Sequence, residues 1–126
     1  ALGMTSPIRT YSPMFFLDVI LSAGSHFTRP NQDQECALYV LEGNVDVNSE
    51  LYEKGDFVLL DADDVVTSRS FSRVVFLGGE QWPKTPHMYW NFVSFSKERI
   101  EQAKRDWQEG RFPDIPGDNQ EFTPLP

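Results

Sequence analysis

Apolar and polar positions alternate in short runs along most of this chain, which is the period of β-strands. Met14-Phe-Phe-Leu-Asp-Val-Ile-Leu21 places Phe15, Leu17, Val19 and Leu21 on one face and Met14, Phe16, Asp18 and Ile20 on the other. A strand apolar on both faces is expected to be buried on both, as a central strand of a sandwich; the sharper reading is that its second face covers another domain. Cys36 to Leu41 and Val45 to Val47 are two further strand-like runs, and Glu42-Gly43-Asn44 between them predicts an antiparallel hairpin. Asn48-Ser-Glu50 predicts a second turn. Leu51 to Leu60 reads as a strand with a bend or bulge at Gly55, and Val65 to Ser70 and Arg73 to Leu77 as two more around Phe71-Ser72, with Gly78-Gly79 ending the second. The polar run Thr28 to Glu35 predicts a loop. His87 to Phe95 alternates Met88, Trp90 and Phe92 against His87, Tyr89, Asn91 and Val93. The chain is therefore mainly β.

The period changes once. Ser96 is placed to cap a helix that Gly110 ends, with Ile100, Ala103 and Trp107 as a narrow apolar stripe expected to pack on the core. Pro113, Pro116, Pro124 and Pro126 predict an extended tail. The organisation expected is a barrel over 14–95, a helix over 96–110 and a tail over 111–126. The segment 1–13, with Gly3, Pro7 and Pro13, is expected to be a linker from a missing N-terminal half.

Composition narrows the function classes. The 126 residues fit one domain, and the formal charge of −8 opposes direct nucleic-acid binding, which uses basic surfaces. A single cysteine makes no internal disulfide, and no stretch has the length or apolar character of a membrane span or a signal peptide. A soluble, cytoplasmic protein is expected.

The candidate chemistry is sparse. Cys36 with His26 or His87 is the one thiol and imidazole combination, and a buried strand cysteine is expected to be inert packing. Asp61, Asp63 and Asp64 suggest a calcium site, but they lack an ordered loop of alternating carboxylates with a closing glutamate, so a solvated turn is expected.

The stretch Gly24 to Gly43 resembles the first signature of the cupin superfamily, in which two histidines and a glutamate lie between two glycines. Gly24 and Gly43 match the glycines, while Pro30 and Gln32 stand at the histidine positions and Cys36 at the glutamate. The second signature laid on Gly55 to Ser70 puts Asp61 at its proline, Asp63 at its second glycine, Val66 at its metal histidine and Ser70 at its asparagine. Pro30 and Val66 offer no side-chain ligand and Gln32 only a carbonyl oxygen, so the spacing is that of a cupin without its metal donors.

The opening ALGMTSPIRTYSPMFFLDVIL, the segment VVFLGGE, the helix ending KERIEQAKRDWQEGRF and the tail IPGDNQEFTPLP together resemble the C-terminal cupin domain of pirin-like proteins. This resemblance implies a single jelly-roll β-barrel with one C-terminal helix and a proline-rich tail. It also implies a two-barrel parent, resembling a quercetin 2,3-dioxygenase or a redox-linked regulator, whose N-terminal cupin half binds iron. No catalytic, cofactor-binding or metal-ligating residue is assigned to this chain, and it is not expected to be an enzyme alone. Its expected partner is the N-terminal half of the same protein, with other protein partners or a homodimer left open. The alternatives are a free-standing enzyme and a small-molecule binder using the barrel interior.

Overall fold

Met14–Leu21 forms β1, the first of ten strands in the computed structural model, which describes residues 2–126. It is followed by β2 His26–Thr28, β3 Glu35–Glu42, β4 Asn44–Val47, β5 Glu50–Glu53, β6 Phe57–Leu60, β7 Val65–Ser68 and β8 Ser72–Gly79. These strands make two four-stranded antiparallel sheets, ordered β1-β8-β3-β6 and β2-β7-β4-β5, which is the strand order of a jelly roll. The chain divides into two compact units, one ending at Gln81 and the other Trp82–Pro126.

The first unit holds both sheets. Alternation sends Phe15, Leu21, Cys36, Leu38, Val40, Val74 and Phe76 inward from one sheet to meet Val45, Val47 and Val66 of the other. Phe27 of β2 lies with its ring 4.5 Å from that of Phe76, joining the two layers.

Three expectations change here. The run around Gly43 is not a hairpin: β3 pairs with β6 and β8, while β4 pairs with β5 and β7, so Gly43 is the corner where the chain leaves one sheet for the other. The register shift between Val40 and Glu42 turns β3 toward that corner. At Gly43 φ is +77°, and a Cβ would stand 2.2 Å from the Phe71 carbonyl oxygen, so only glycine fits. The local hairpin is instead β4–β5, whose turn residues Asn48 and Ser49 both have positive φ. Likewise Leu51 to Leu60 is two strands in different sheets, with Gly55 between them. Finally, β1 is an edge strand rather than a central one, and Phe16 and Ile20 on its outer face are exposed.

The second unit contains β9 His87–Tyr89, β10 Phe92–Ser94 and α1 Lys97–Gln108. The two strands, expected within the barrel, pair with each other as a separate hairpin. Ser96 caps α1 as its sequence predicts: its hydroxyl accepts from the Arg99 N–H at 3.3 Å and donates to Glu98 at 2.7 Å. Of the stripe, Ile100 is buried and Trp107 stands at the centre of an aromatic group, and none of its residues belongs to the core cluster of the two sheets. The Trp107 ring lies 5.1 Å from Trp90, 5.6 Å from Phe112 and 5.7 Å from Phe122. Its indole N–H donates to the Thr123 carbonyl at 2.7 Å, tying part of the tail to the helix. No helix among the described residues is long and apolar enough to cross a membrane.

Candidate functional site

The place where a cupin would hold its metal is the barrel interior, so the residues at those positions decide what chemistry the chain can do. Val66 is fully buried among the core side chains, and Cys36 belongs to the same buried cluster. The Phe27–Phe76 ring contact adds further hydrocarbon to this interior. Pro30 and Gln32 sit on the loop between β2 and β3, outside the core cluster. These residues do not fit an iron centre: two aliphatic or imino side chains, one amide and one thiol supply no imidazole and no carboxylate. Among the described residues no group of three or more His, Cys, Asp and Glu side chains is arranged to hold a metal ion.

Burial pushes the Cys36 thiol up from its ordinary range, and the Arg29 charge opposes this to a smaller extent. Its Sγ–H points at the carbonyl of Ala37, 3.8 Å away. A thiol held protonated in this way is a poor nucleophile. His26 is exposed, alternating along β2 with the core-facing Phe27, and its Nδ1 is 2.9 Å from the Thr67 hydroxyl on the neighbouring strand β7, whereas Cys36 is buried in the core. The candidate dyad with His26 is thus not assembled, and His87 belongs to the second unit.

Arg29 was not singled out by the sequence pattern. Its Nη1 donates to the Leu60 carbonyl at 3.2 Å and its Nη2 to the Gln32 carbonyl, so the guanidinium ties the β2–β3 loop to the end of β6. Its buried Nε has no protein partner. The one available sequence signal was a cation immediately before the first vacant ligand position.

The acidic group also differs from expectation. Asp61 and Asp63 are exposed, but Asp64 is buried. Its carboxylate accepts from the Asn48 amide at 2.6 Å and from the Asp61 backbone N–H at 2.8 Å. Asp64 therefore closes its own turn and pins it to the β4–β5 hairpin, a structural use of the charge. Near the sheet corner, Asn44 N–H donates to the Ser72 hydroxyl at 3.1 Å, which itself donates to the Asn44 carbonyl at 2.9 Å, so the polar atoms buried beside Gly43 are satisfied.

A jelly roll with cupin spacing and a hydrocarbon interior agrees with what the chain is similar to. Residues 16–113 match the Pirin C-terminal cupin domain. A pirin-like protein of Caulobacter vibrioides is 38% identical over 131 residues, an alignment that takes in 100% of this chain and 44% of the relative. Among solved structures, a quercetin 2,3-dioxygenase from Acinetobacter baumannii superposes with a TM-score of 0.79 at 25% identity, covering 99% of this chain and 44% of that one. A second structure of quercetin 2,3-dioxygenase from the same organism gives 0.77 at 23% identity over 91% of this chain, a likeness of fold. The chain thus spans less than half the length of these relatives. With the fold, the strand order and the family match in agreement, the chain belongs to the pirin family, as its C-terminal cupin domain.

Proposed function

We propose that this chain is the metal-free C-terminal half of a two-cupin protein, a structural and binding module that supports an iron-binding N-terminal half. The parent would resemble a quercetin 2,3-dioxygenase or a redox-linked regulator and work in the cytoplasm. The observation that carries this reading is the barrel interior, where fully buried Val66 and buried Cys36 stand at two of the four positions that would supply ligands. A module of this kind leaves oxygen and metal chemistry to the other half and contributes rigidity and contact surface. The small-molecule alternative needs an open cavity in the region that Leu38, Val66 and Phe76 fill.

The test compares the 126-residue chain with the full-length gene product after anaerobic exposure to Fe(II) and gel filtration. The expected result is about one iron per chain in the full-length protein and far less than one in this chain, with quercetin-dependent oxygen uptake, if any, confined to the former. About one iron retained by the isolated chain, or quercetin turnover that survives chelation and disappears in Cys36→Ala, would overturn the reading.

A further inference from the structure

Within the second unit, the segment Phe122-Thr-Pro-Leu-Pro126 is gripped by two aromatic side chains. Each proline fixes its own φ and turns the residue before it away from helix, so every residue from Thr123 to Pro126 favours the polyproline II conformation. That helix has about three residues per turn, and groups three positions apart face the same side. The contacts follow this period. The indole N–H of Trp107 donates to the Thr123 carbonyl at 2.7 Å, and the Tyr89 hydroxyl donates to the Pro126 carbonyl, one turn on, also at 2.7 Å. The side chains repeat in the same way: Phe122 stacks on Trp107 with ring centroids 5.7 Å apart and planes at 25°, and Leu125 is the one residue of 119–126 that is not exposed. Lys104 Nζ lies 4.4 Å from the centre of the Tyr89 ring, and Trp90 meets the Trp107 ring edge-on at 5.1 Å, so both donors are braced by neighbours outside the segment.

We infer that the hairpin β9–β10 and helix α1 form a site for proline-rich peptides, filled here by Phe122–Pro126, and that its ligand in trans is an extended aromatic-x-Pro-x-Pro segment of a partner protein. A stiff extended segment loses little freedom on docking, and aromatic grooves recognise such segments for that reason. The chain's own segment is lightly seated, because Phe122 remains 61% exposed and residues 111–121 before it are exposed throughout, so it can lift off without opening a core. It also leaves aromatic surface uncovered beside Trp107: Trp90 is 38% and Phe112 41% exposed, and their rings lie 5.1 and 5.6 Å from the Trp107 ring. A partner segment that reaches those rings makes contacts the chain's own segment does not. A second copy gains nothing of the kind. Its segment would repeat the contacts already made, at the cost of association entropy and of bringing together two chains of charge −8. The tether holds the chain's own segment at a local concentration near the millimolar range, which closes the site to weak ligands and leaves it open to better ones. This goes beyond the role proposed above and does not depend on where the parent holds iron.

The test is binding of a fluorescent peptide of residues 119–126 to the full-length gene product, followed by anisotropy, with a peptide carrying alanine at both Pro124 and Pro126 as the control. Phe122→Ser in the protein loosens its own segment and leaves the core alone, since Phe122 is largely exposed. This variant should bind the natural peptide roughly tenfold more tightly than wild type, the ratio of a local concentration of about 1 mM to a peptide Kd of about 0.1 mM. The alanine peptide should bind severalfold more weakly. Adding Tyr89→Phe, which removes one donor and keeps the ring, should weaken the natural peptide by about two- to tenfold with the far-UV circular dichroism unchanged. A peptide with Thr123→Pro, stiffer in the bound conformation, should bind wild type severalfold better than the natural peptide does. No binding by the Phe122→Ser protein would overturn the inference, as would equal binding of the alanine peptide or full affinity after Tyr89→Phe. A wild-type dimer that grows with concentration and is lost in Phe122→Ser would overturn it too, because the occupant would then be a second copy.

Discussion

Replacing Gly43 by alanine tests whether the chain switches sheets where the structure says it does. Two costs add at this position. A residue with a Cβ in left-handed backbone loses about 1 to 2 kcal/mol, and φ at Gly43 is +77°. The new methyl would also stand 2.2 Å from the Phe71 carbonyl, 2.4 Å from Ser72 Oγ and 2.8 Å from Ser72 Cα. Relieving this overlap moves Ser72, which is fully buried and bonded to both backbone groups of Asn44. Overpacking of this kind costs about 1 to 3 kcal/mol, and a buried hydroxyl left unpaired costs a similar amount. Gly24 provides the control, because its φ is +78° but nothing lies within 4 Å of where its Cβ would be. Gly24→Ala should therefore lose only the backbone part, and Gly43→Ala roughly 2 to 4 kcal/mol more. Urea unfolding followed by far-UV circular dichroism reads the difference, since the strands of the two four-stranded sheets lie in the first unit. With a slope of about 1 to 3 kcal/mol per molar, the Gly43→Ala midpoint should fall at least about 0.7 M below that of Gly24→Ala. Equal midpoints with unchanged slopes would mean that the corner is not packed as described.

The Cys36 thiol, held protonated by burial, should react with an aromatic disulfide reagent at neutral pH far more slowly than in urea-denatured protein; complete native labelling on the time scale of the denatured control would contradict its burial. Asp18, Asp46, Glu98 and Asp106 all have carboxyls held below their ordinary range, chiefly by hydrogen bonds from Arg73, Arg69, Ser96 and Gln102 respectively. Because their folded values lie below the unfolded ones, their stabilisation is complete above about pH 4.5 and is lost as pH falls through the folded values. Thermal unfolding should thus change little from pH 7 to pH 5 and then drop toward pH 3, by a modest amount that added salt reduces because these pairs face solvent. A melting temperature that rises over the acid range would reverse the assigned direction.

The alternation of apolar residues marked several of the strands, though it merged β5 with β6 and β9 with β10 and passed over β2: Met14–Leu21 is the element its two-residue period predicts, and Ser96 and Gly110 bracket the helix as their capping chemistry predicts. These properties are local, set by backbone geometry over a few residues, so they can be read from the chain. The vacant ligand positions were legible for a related reason, since a valine or a proline offers no donor in any fold. Pairing was decided elsewhere. Glu42-Gly43-Asn44 has the composition of a hairpin turn, yet β3 finds its partners in β8, about thirty residues downstream, and β6, because only that arrangement buries Leu38 and Val40 against Val45 and Val66 across the two layers. The same holds for β1, whose two apolar faces read as a fully buried strand. Which face a strand buries depends on its place in the sheet, and a place in the sheet is set by contacts between residues far apart in the chain. Tertiary structure put β1 at an edge and left Phe16 exposed in the same row as Leu59, a row contributed by four strands that no local stretch of sequence brings together.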